Sequence, residues 1–185
     1  VDASISATGR AADADAEPAV TAVAGDVTLT AATSITQNAD ITSNTLGDVT
    51  LTANGGDILQ NANIRAIEGD IALTARSTSV TEDDVTIVTG GNIVMRDVTG
   101  SVPATETTTK TGDISYTADA TIRSQVLATN AGDITLKASN DVVAGQSITT
   151  GLGQVQITAM TGLIATDVDA SISATGRAAD ADAEP

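Results

Sequence analysis

The densest cluster of side chains that could bind a ligand is acidic, at Glu82, Asp83 and Asp84. Clustered carboxylates are ligands that hard cations prefer, so these three residues form a candidate calcium site. A solvent-exposed turn between two strands is the simpler interpretation, because acidic residues are common in such turns. The sequence therefore predicts no cofactor, with calcium as the alternative.

The residues that most catalytic sites require are missing from the chain. It contains no His and no Cys, which excludes zinc sites of the usual type and nucleophilic catalysis based on His or Cys. The two lysines, Lys110 and Lys137, lie in no recognisable motif. Carboxylate catalysis would need acidic and basic residues that converge on one groove, and no such pattern is visible. We therefore predict that the protein is not an enzyme.

The overall charge also limits the choice of partners. The chain has a net charge of −16, from 24 acidic and 8 basic residues. Such a surface repels nucleic acid and anionic lipid, so neither is expected as a partner. No apolar run approaches the ~18–20 residues of a membrane-spanning helix, and we predict no membrane insertion in this segment.

A long exact repeat indicates how the chain is organised. Residues 1–18 are identical to residues 168–185, so that Val1 recurs as Val168 and Pro18 as Pro185. We call the interval from Val1 to Val168 the long period. We interpret residues 1–167 as one repeat unit and residues 168–185 as the start of the next. The expected partners therefore include covalently continuous copies of the same unit.

A shorter, degenerate repeat covers most of the unit. It consists of Gly-Asp followed by alternating apolar and polar residues, and its copies begin at Gly25, Gly47, Gly69, Gly91, Gly112, Gly132 and Gly153, with an eroded copy from Asp169. Most copies begin at nearly even intervals along the chain. The intervals between successive copies, including the step to the first copy of the next unit, add up to the long period. This phasing predicts about eight coils in residues 1–167. The predicted structural corners are Gly25, Asp26, Gly47, Asp48, Gly69, Asp70, Gly112, Asp113, Gly132 and Asp133.

Each copy reads as a strand with one apolar face. Alternate residues of a strand point to opposite faces, and stacked coils would align the apolar ones in ladders. Tyr116 is the only aromatic residue of the chain, so the core must be narrow and aliphatic. The predicted core ladder comprises Val27, Leu29, Val49, Leu51, Ile71, Leu73, Ile93, Met95, Ile114, Tyr116, Ile134, Leu136, Val155 and Ile157.

The iterated G-D-[IV]-x-[LI]-x-A strands resemble the repeats of filamentous haemagglutinin-like exoproteins. This resemblance implies an all-β, right-handed parallel β-helix (a β-solenoid) in a giant adhesin at the bacterial surface. We therefore expect an extracellular, structural or adhesive fibre segment, for attachment or cell–cell contact. Its external partners would be other cell surfaces, glycans or neighbouring fibres. The alternatives are a carbohydrate-active β-helix enzyme and a repeat adhesin built of β-sandwich domains.

Overall fold

The computed structural model describes residues 3–7, 20–22, 25–44, 46–82, 85–96 and 104–175. These residues form strands, turns and bends, with no helix among them. The strands stack into three parallel sheets, and each coil of the chain contributes one strand to each sheet. The chain is therefore an all-β parallel β-solenoid, as the sequence predicts.

Six complete coils follow one another along the chain. The described part of the chain before them contains β1 (Ala3–Ala7) and β2 (Val20–Ala22). The first two coils consist of β3 (Val27–Ala31), β4 (Ile35–Gln37), β5 (Ile41–Ser43), β6 (Val49–Ala53), β7 (Ile58–Gln60) and β8 (Ile64–Ala66). The third coil consists of β9 (Ile71–Ala75), an inserted hairpin of β10 (Ser77–Glu82) and β11 (Val85–Gly90), then β12 (Ile93–Met95) and β13 (Glu106–Thr109). The last three consist of β14 (Ile114–Ala118), β15 (Ile122–Ser124), β16 (Val126–Thr129), β17 (Ile134–Ala138), β18 (Val142–Ala144), β19 (Ile148–Thr150), β20 (Val155–Ala159), β21 (Ile164–Thr166) and β22 (Ile172–Ala174).

The strands of each sheet run in coil order. The first sheet has the order β1-β3-β6-β9-β14-β17-β20, the second β4-β7-β12-β15-β18-β21, and the third β2-β5-β8-β13-β16-β19-β22. All neighbours within these three sheets are parallel except β1, which pairs antiparallel with β3. Because β-sandwiches are built from antiparallel sheets, this topology contradicts the sandwich alternative.

The core consists of stacked aliphatic side chains from the inward faces of the sheets. In the first sheet, Leu51 of β6 lies in register with Leu73 of β9, and Leu73 with Tyr116 of β14. All three side chains are fully buried. Ile157 near the carboxyl end of the solenoid is only partly buried, because β20 lies at the edge of the first sheet, and Leu29 in the first coil is also partly buried.

The predicted phase was wrong at Gly91. Residues Ile93 and Met95 are buried core residues, but they belong to β12 in the second sheet, where Ile93 pairs with Ile58 and Ile122. The next strand of the first sheet is β14, which pairs directly with β9 although the hairpin, β12 and β13 lie between them in the chain. The inserted hairpin lengthens the segment between β9 and β12. As a result, the second-sheet strand β12 begins at the position where the repeat predicts the next first-sheet strand.

The eroded copy from Asp169 is also misplaced in the prediction. Its strand, β22, lies in the third sheet and pairs with β19. It therefore completes the sixth coil after β20 and β21 instead of starting another one. The described residues form about six coils, fewer than the eight predicted for the unit.

Candidate functional site: the glycine-aspartate corners

The Gly-Asp corners lie side by side in one row, immediately before the strands of the first sheet. Each Asp side chain accepts a hydrogen bond from the backbone N–H of the equivalent residue in the next coil. Oδ1 of Asp26 accepts from Asp48 at 3.0 Å, and Oδ1 of Asp48 accepts from Asp70 at 2.9 Å. The row continues from Asp70 to Asp113 at 2.8 Å, from Asp113 to Asp133 at 2.7 Å and from Asp133 to Gln154 at 2.8 Å.

This aspartate row satisfies backbone donors where the chain turns between sheets. The same Asp residues also supply backbone carbonyls to the adjoining ladder, for example from Asp48 to the N–H of Val27 at 2.7 Å. Hydrogen bonds that involve an ionised acceptor are stronger than neutral ones. The carboxylates are exposed, so water screens the repulsion between neighbours in the row. The row therefore ties successive coils together.

Replacement of Asp70 tests the hydrogen bond separately from the charge. Asp70→Ala removes the acceptor for the N–H of Asp113 and should lower the free energy of unfolding by about 1 kcal/mol. Asp70→Asn retains an oxygen at the same position and should remain within about 0.5 kcal/mol of the parent. Urea unfolding followed by circular dichroism compares the two variants. Equal destabilisation by both would show that the charge, and not the acceptor, stabilises the corner.

The glycines of these corners are required by close packing between coils. A Cβ atom on Gly112 would overlap the carbonyl oxygen of Gly69, and one on Gly132 would overlap that of Gly112. Gly47, Gly69 and Gly153 meet the preceding corner in the same way. Because the obstructing atoms belong to backbone, no side-chain movement can relieve the overlap. The corner therefore accepts only glycine at this position.

A buried threonine supports this glycine row in the later coils, and the sequence analysis missed it. The hydroxyl of Thr129 donates to the carbonyl of Gly112 at 3.1 Å and accepts from the N–H of Gly132 at 3.1 Å. Thr109 and Thr150 make the same pair of bonds in the adjacent coils. The detectable signal is a Thr at the third position before each of these corner glycines.

The corner before the second sheet uses other polar side chains in the same manner. Asp57 accepts from the backbone N–H of Asn92 at 2.9 Å, and Asn92 in turn accepts from the N–H of Thr121 at 3.1 Å. Asp141 accepts from the N–H of Leu163 at 2.8 Å. Oxygen acceptors at the start of a strand are therefore a general device of this solenoid.

A polar cluster centred on Tyr116 lies within the core. Its hydroxyl lies 2.6 Å from Oγ1 of Thr107 and donates to Oε1 of Gln60 at 3.1 Å. Gln60 also donates through Nε2 to Oγ1 of Thr107 at 3.0 Å. Burial raises the pKa of the Tyr116 phenol far above its usual value, and the hydrogen bond with Thr107 only partly opposes this shift. Tyr116 therefore stays protonated in the folded core.

The candidate calcium site falls only partly within the described residues. Glu82 ends β10, whereas Asp83 and Asp84 lie outside the described residues. Within the described ranges, no group of three or more acidic, His or Cys side chains could hold a metal ion. A search of the same ranges finds no helix that is long and apolar enough to cross a membrane.

Comparisons with protein-family models, curated proteins and solved structures find no match to this chain. The corners, the core ladders and the sheet edges are therefore the observations from which a function can be argued.

Proposed function

We propose that the chain is a structural and adhesive segment of a giant tandem-repeat fibre at the cell surface, for attachment or cell–cell contact. In this proposal, covalently continuous units stack coil on coil, and the fibre resembles the filamentous haemagglutinin-like exoproteins. The observation that supports the proposal most directly is that the spacing of the third-sheet strands is compatible with the long period.

The strands of the third sheet fit this period. Strand β2 starts at Val20 and β22 at Ile172, and they form the two edges of this sheet. One long period after Val20, the equivalent of β2 would start at position 187. The interval from Ile172 to that position is shorter than the interval from Ile148 to Ile172, so no further third-sheet strand fits between them. The third sheet would therefore continue without a missing strand, with the seven observed strands as one unit. At about 4.8 Å per strand, a unit would extend the fibre by about 34 Å.

The last described coil has the surface of an element that lacks its neighbour. Ile164 of β21 and Ile172 of β22 are 55% and 42% exposed. Their equivalents one coil earlier, Val142 and Ile148, are almost completely buried. An additional coil would cover these side chains and the unpaired backbone groups beside them. The exposed end therefore supports continuation of the solenoid.

The identical segments at the two ends pair in different ways. At the carboxyl end Ile172–Ala174 extends the third sheet in parallel, whereas at the amino end Ala3–Ala7 pairs antiparallel with β3 of the first sheet. In a tandem array, residues 5–7 would have a preceding unit's equivalent of β19 as a neighbour. We expect the parallel pairing in that setting.

Immunogold electron microscopy of cells that produce the protein tests the proposed function. Antibodies raised against the 185-residue chain should label filaments outside the cell, with gold particles distributed along their length. Pre-immune antibodies and cells that lack the gene are the controls. Labelling confined to the cell interior would contradict the proposal.

A further inference from the structure

Two basic side chains on this strongly acidic chain lie in the same surface groove, and neither has a side-chain partner among the described residues. Among the other described basic residues, Arg76 donates to Asn54 at 3.0 Å and Arg123 lies 3.6 Å from Asp167. The side chains of Arg96 and Lys137 also form no hydrogen bond or ion pair with the described residues, but neither lines this groove. Arg65 and Lys110 are exposed, and neither side chain forms a hydrogen bond or ion pair with the described residues. With only 8 basic residues in the chain, a shared position for two unpaired cations suggests a binding role.

The groove lies on the outer face of the third sheet. Arg65 is the middle residue of β8 and lies in register with Thr42 on one side and Thr108 on the other. Lys110 follows β13, and its backbone N–H donates to the carbonyl of Ile67 at 3.0 Å. The groove has a volume of about 270 Å³ and is lined by Arg65, Thr108, Lys110 and Asn130, among others. Both basic side chains are thus carried by regular, hydrogen-bonded backbone.

A second groove of about 180 Å³ adjoins the first, with Arg65 and Thr108 in both linings. Its other polar residues include Asp40, Asn63 and Glu106. Backbone N–H groups hold two of these side chains in place, since Asp40 accepts from Asn63 at 3.0 Å and Asn63 accepts from Glu106 at 3.0 Å. The two grooves therefore place cationic groups next to carboxylate and amide acceptors.

We propose that these grooves bind an acidic saccharide. A carboxylate or sulfate group of the ligand would occupy the groove of Arg65 and Lys110, and sugar hydroxyls would donate to Asp40 and Asn63 in the adjoining groove. This inference names a ligand class for the proposed adhesive function. The biological purpose of the site rests on that proposed function, whereas binding of the saccharide to the grooves does not.

The polar linings favour a saccharide over an acidic peptide. Acidic peptides are bound by clusters of Arg or along a free strand edge, whereas these grooves contain a single Arg and β8 is paired on both sides. The grooves are instead rich in side chains that bind hydroxyls. The Debye length is about 8 Å at physiological salt, so the remote acidic residues are largely screened and the nearby carboxylates to be considered are Asp40 and Glu106 of the adjoining groove. The grooves are small, and affinity per site is expected to be weak. Repetition of the unit along a fibre would raise the avidity.

Isothermal titration calorimetry on the 185-residue chain tests this inference. The probes are trigalacturonate, which carries carboxylates, a heparin-derived tetrasaccharide, which adds sulfates, and neutral maltotriose. At least one acidic probe should bind, and maltotriose should bind at least tenfold more weakly. The acidic probe that binds more tightly identifies the anionic group.

A pair of double variants separates the groove from the net charge. Arg65→Gln/Lys110→Gln should weaken binding of the acidic probe at least tenfold. Arg76→Gln/Lys137→Gln removes the same number of charges outside both grooves and should weaken it less than twofold. Circular dichroism verifies that both variants are folded, and Arg65→Lys should retain part of the affinity. Equal losses in the two double variants, or no binding of either acidic probe, would overturn the inference. These measurements use the single chain, so they are independent of whether it forms fibres.

Discussion

The Gly112→Ala variant should lose at least about 3 kcal/mol of stability, because its new methyl group would overlap the backbone carbonyl of Gly69. Gly112 lies in the interior of the glycine row, between Gly69 and Gly132. Forcing the coils apart at this point would also disturb the hydrogen bond that Thr109 accepts from the N–H of Gly112 and the one that Thr129 donates to its carbonyl. Urea unfolding followed by circular dichroism measures the loss.

Thr111→Ala is the matched control for this variant. Thr111 is adjacent to Gly112 and exposed, and its hydroxyl makes one long hydrogen bond of 3.4 Å to the carbonyl of Glu68. Its replacement should change the free energy of unfolding by about 0.5 kcal/mol or less. Equal free energies of unfolding for Gly112→Ala and Thr111→Ala would contradict the close contact between the backbones of neighbouring coils at this corner.

Alkaline pH should destabilise the fold through Tyr116. A phenol in an unfolded chain ionises near pH 10, whereas burial raises the pKa of Tyr116 in the folded state. The stabilisation is therefore fully present below about pH 10 and is lost as the pH rises towards the folded-state pKa. Over that interval the free energy of unfolding should fall by up to about 1.4 kcal/mol per pH unit.

Ultraviolet absorbance of tyrosinate measures this directly, because Tyr116 is the only Tyr and the chain has no Trp. Tyrosinate should form together with the loss of the β-sheet circular dichroism signal. Tyr116→Phe should remove this contribution to the pH dependence and lose about 1 kcal/mol at neutral pH, since it removes the bonds to Thr107 and Gln60. Ionisation near pH 10 in a chain that remains folded would contradict the buried position of Tyr116.

The fold class could be predicted because each coil needs a strand with one apolar face and a tight corner before it, and the sequence repeats both features. Alternation along the first-sheet strands indicated which residues face inward, and residues such as Leu51, Leu73 and Leu136 are fully buried. The absence of Phe and Trp, with Tyr116 as the single aromatic residue, indicated a narrow core. The glycine and aspartate of each corner also stood out, because the same backbone geometry recurs in each coil.

The number of coils could not be predicted from the repeat, because an insertion can bring a strand of another sheet to the position where the next repeat copy is expected. The hairpin of β10 and β11 places Ile93 as far along the chain from Ile71 as Ile71 is from Val49. Only pairing between strands shows that Ile93 belongs to another sheet. Two glycines with positive φ angles, Gly90 at 78° and Gly91 at 83°, return the chain from the hairpin to the solenoid.

The buried threonines of the corner and the grooves around Arg65 were also missed, for a different reason. Thr129 contacts the corner glycine at the opposite end of its own coil, and Lys110 and Arg65 line one groove only because β13 stacks on β8. Such contacts depend on which coil follows which. An error in the coil phase therefore hides them, even where the residues of each strand are correctly identified.

Cryo-electron microscopy of the native filaments tests most directly whether identical units continue one parallel solenoid. The power spectrum should show an axial layer line at about 4.8 Å and a unit repeat of about 34 Å, from seven strands per unit. A unit repeat of about 38 Å would contradict the seven-strand unit and restore an eight-coil one. Separate globular beads without an axial signal at about 4.8 Å would contradict the continuous solenoid itself.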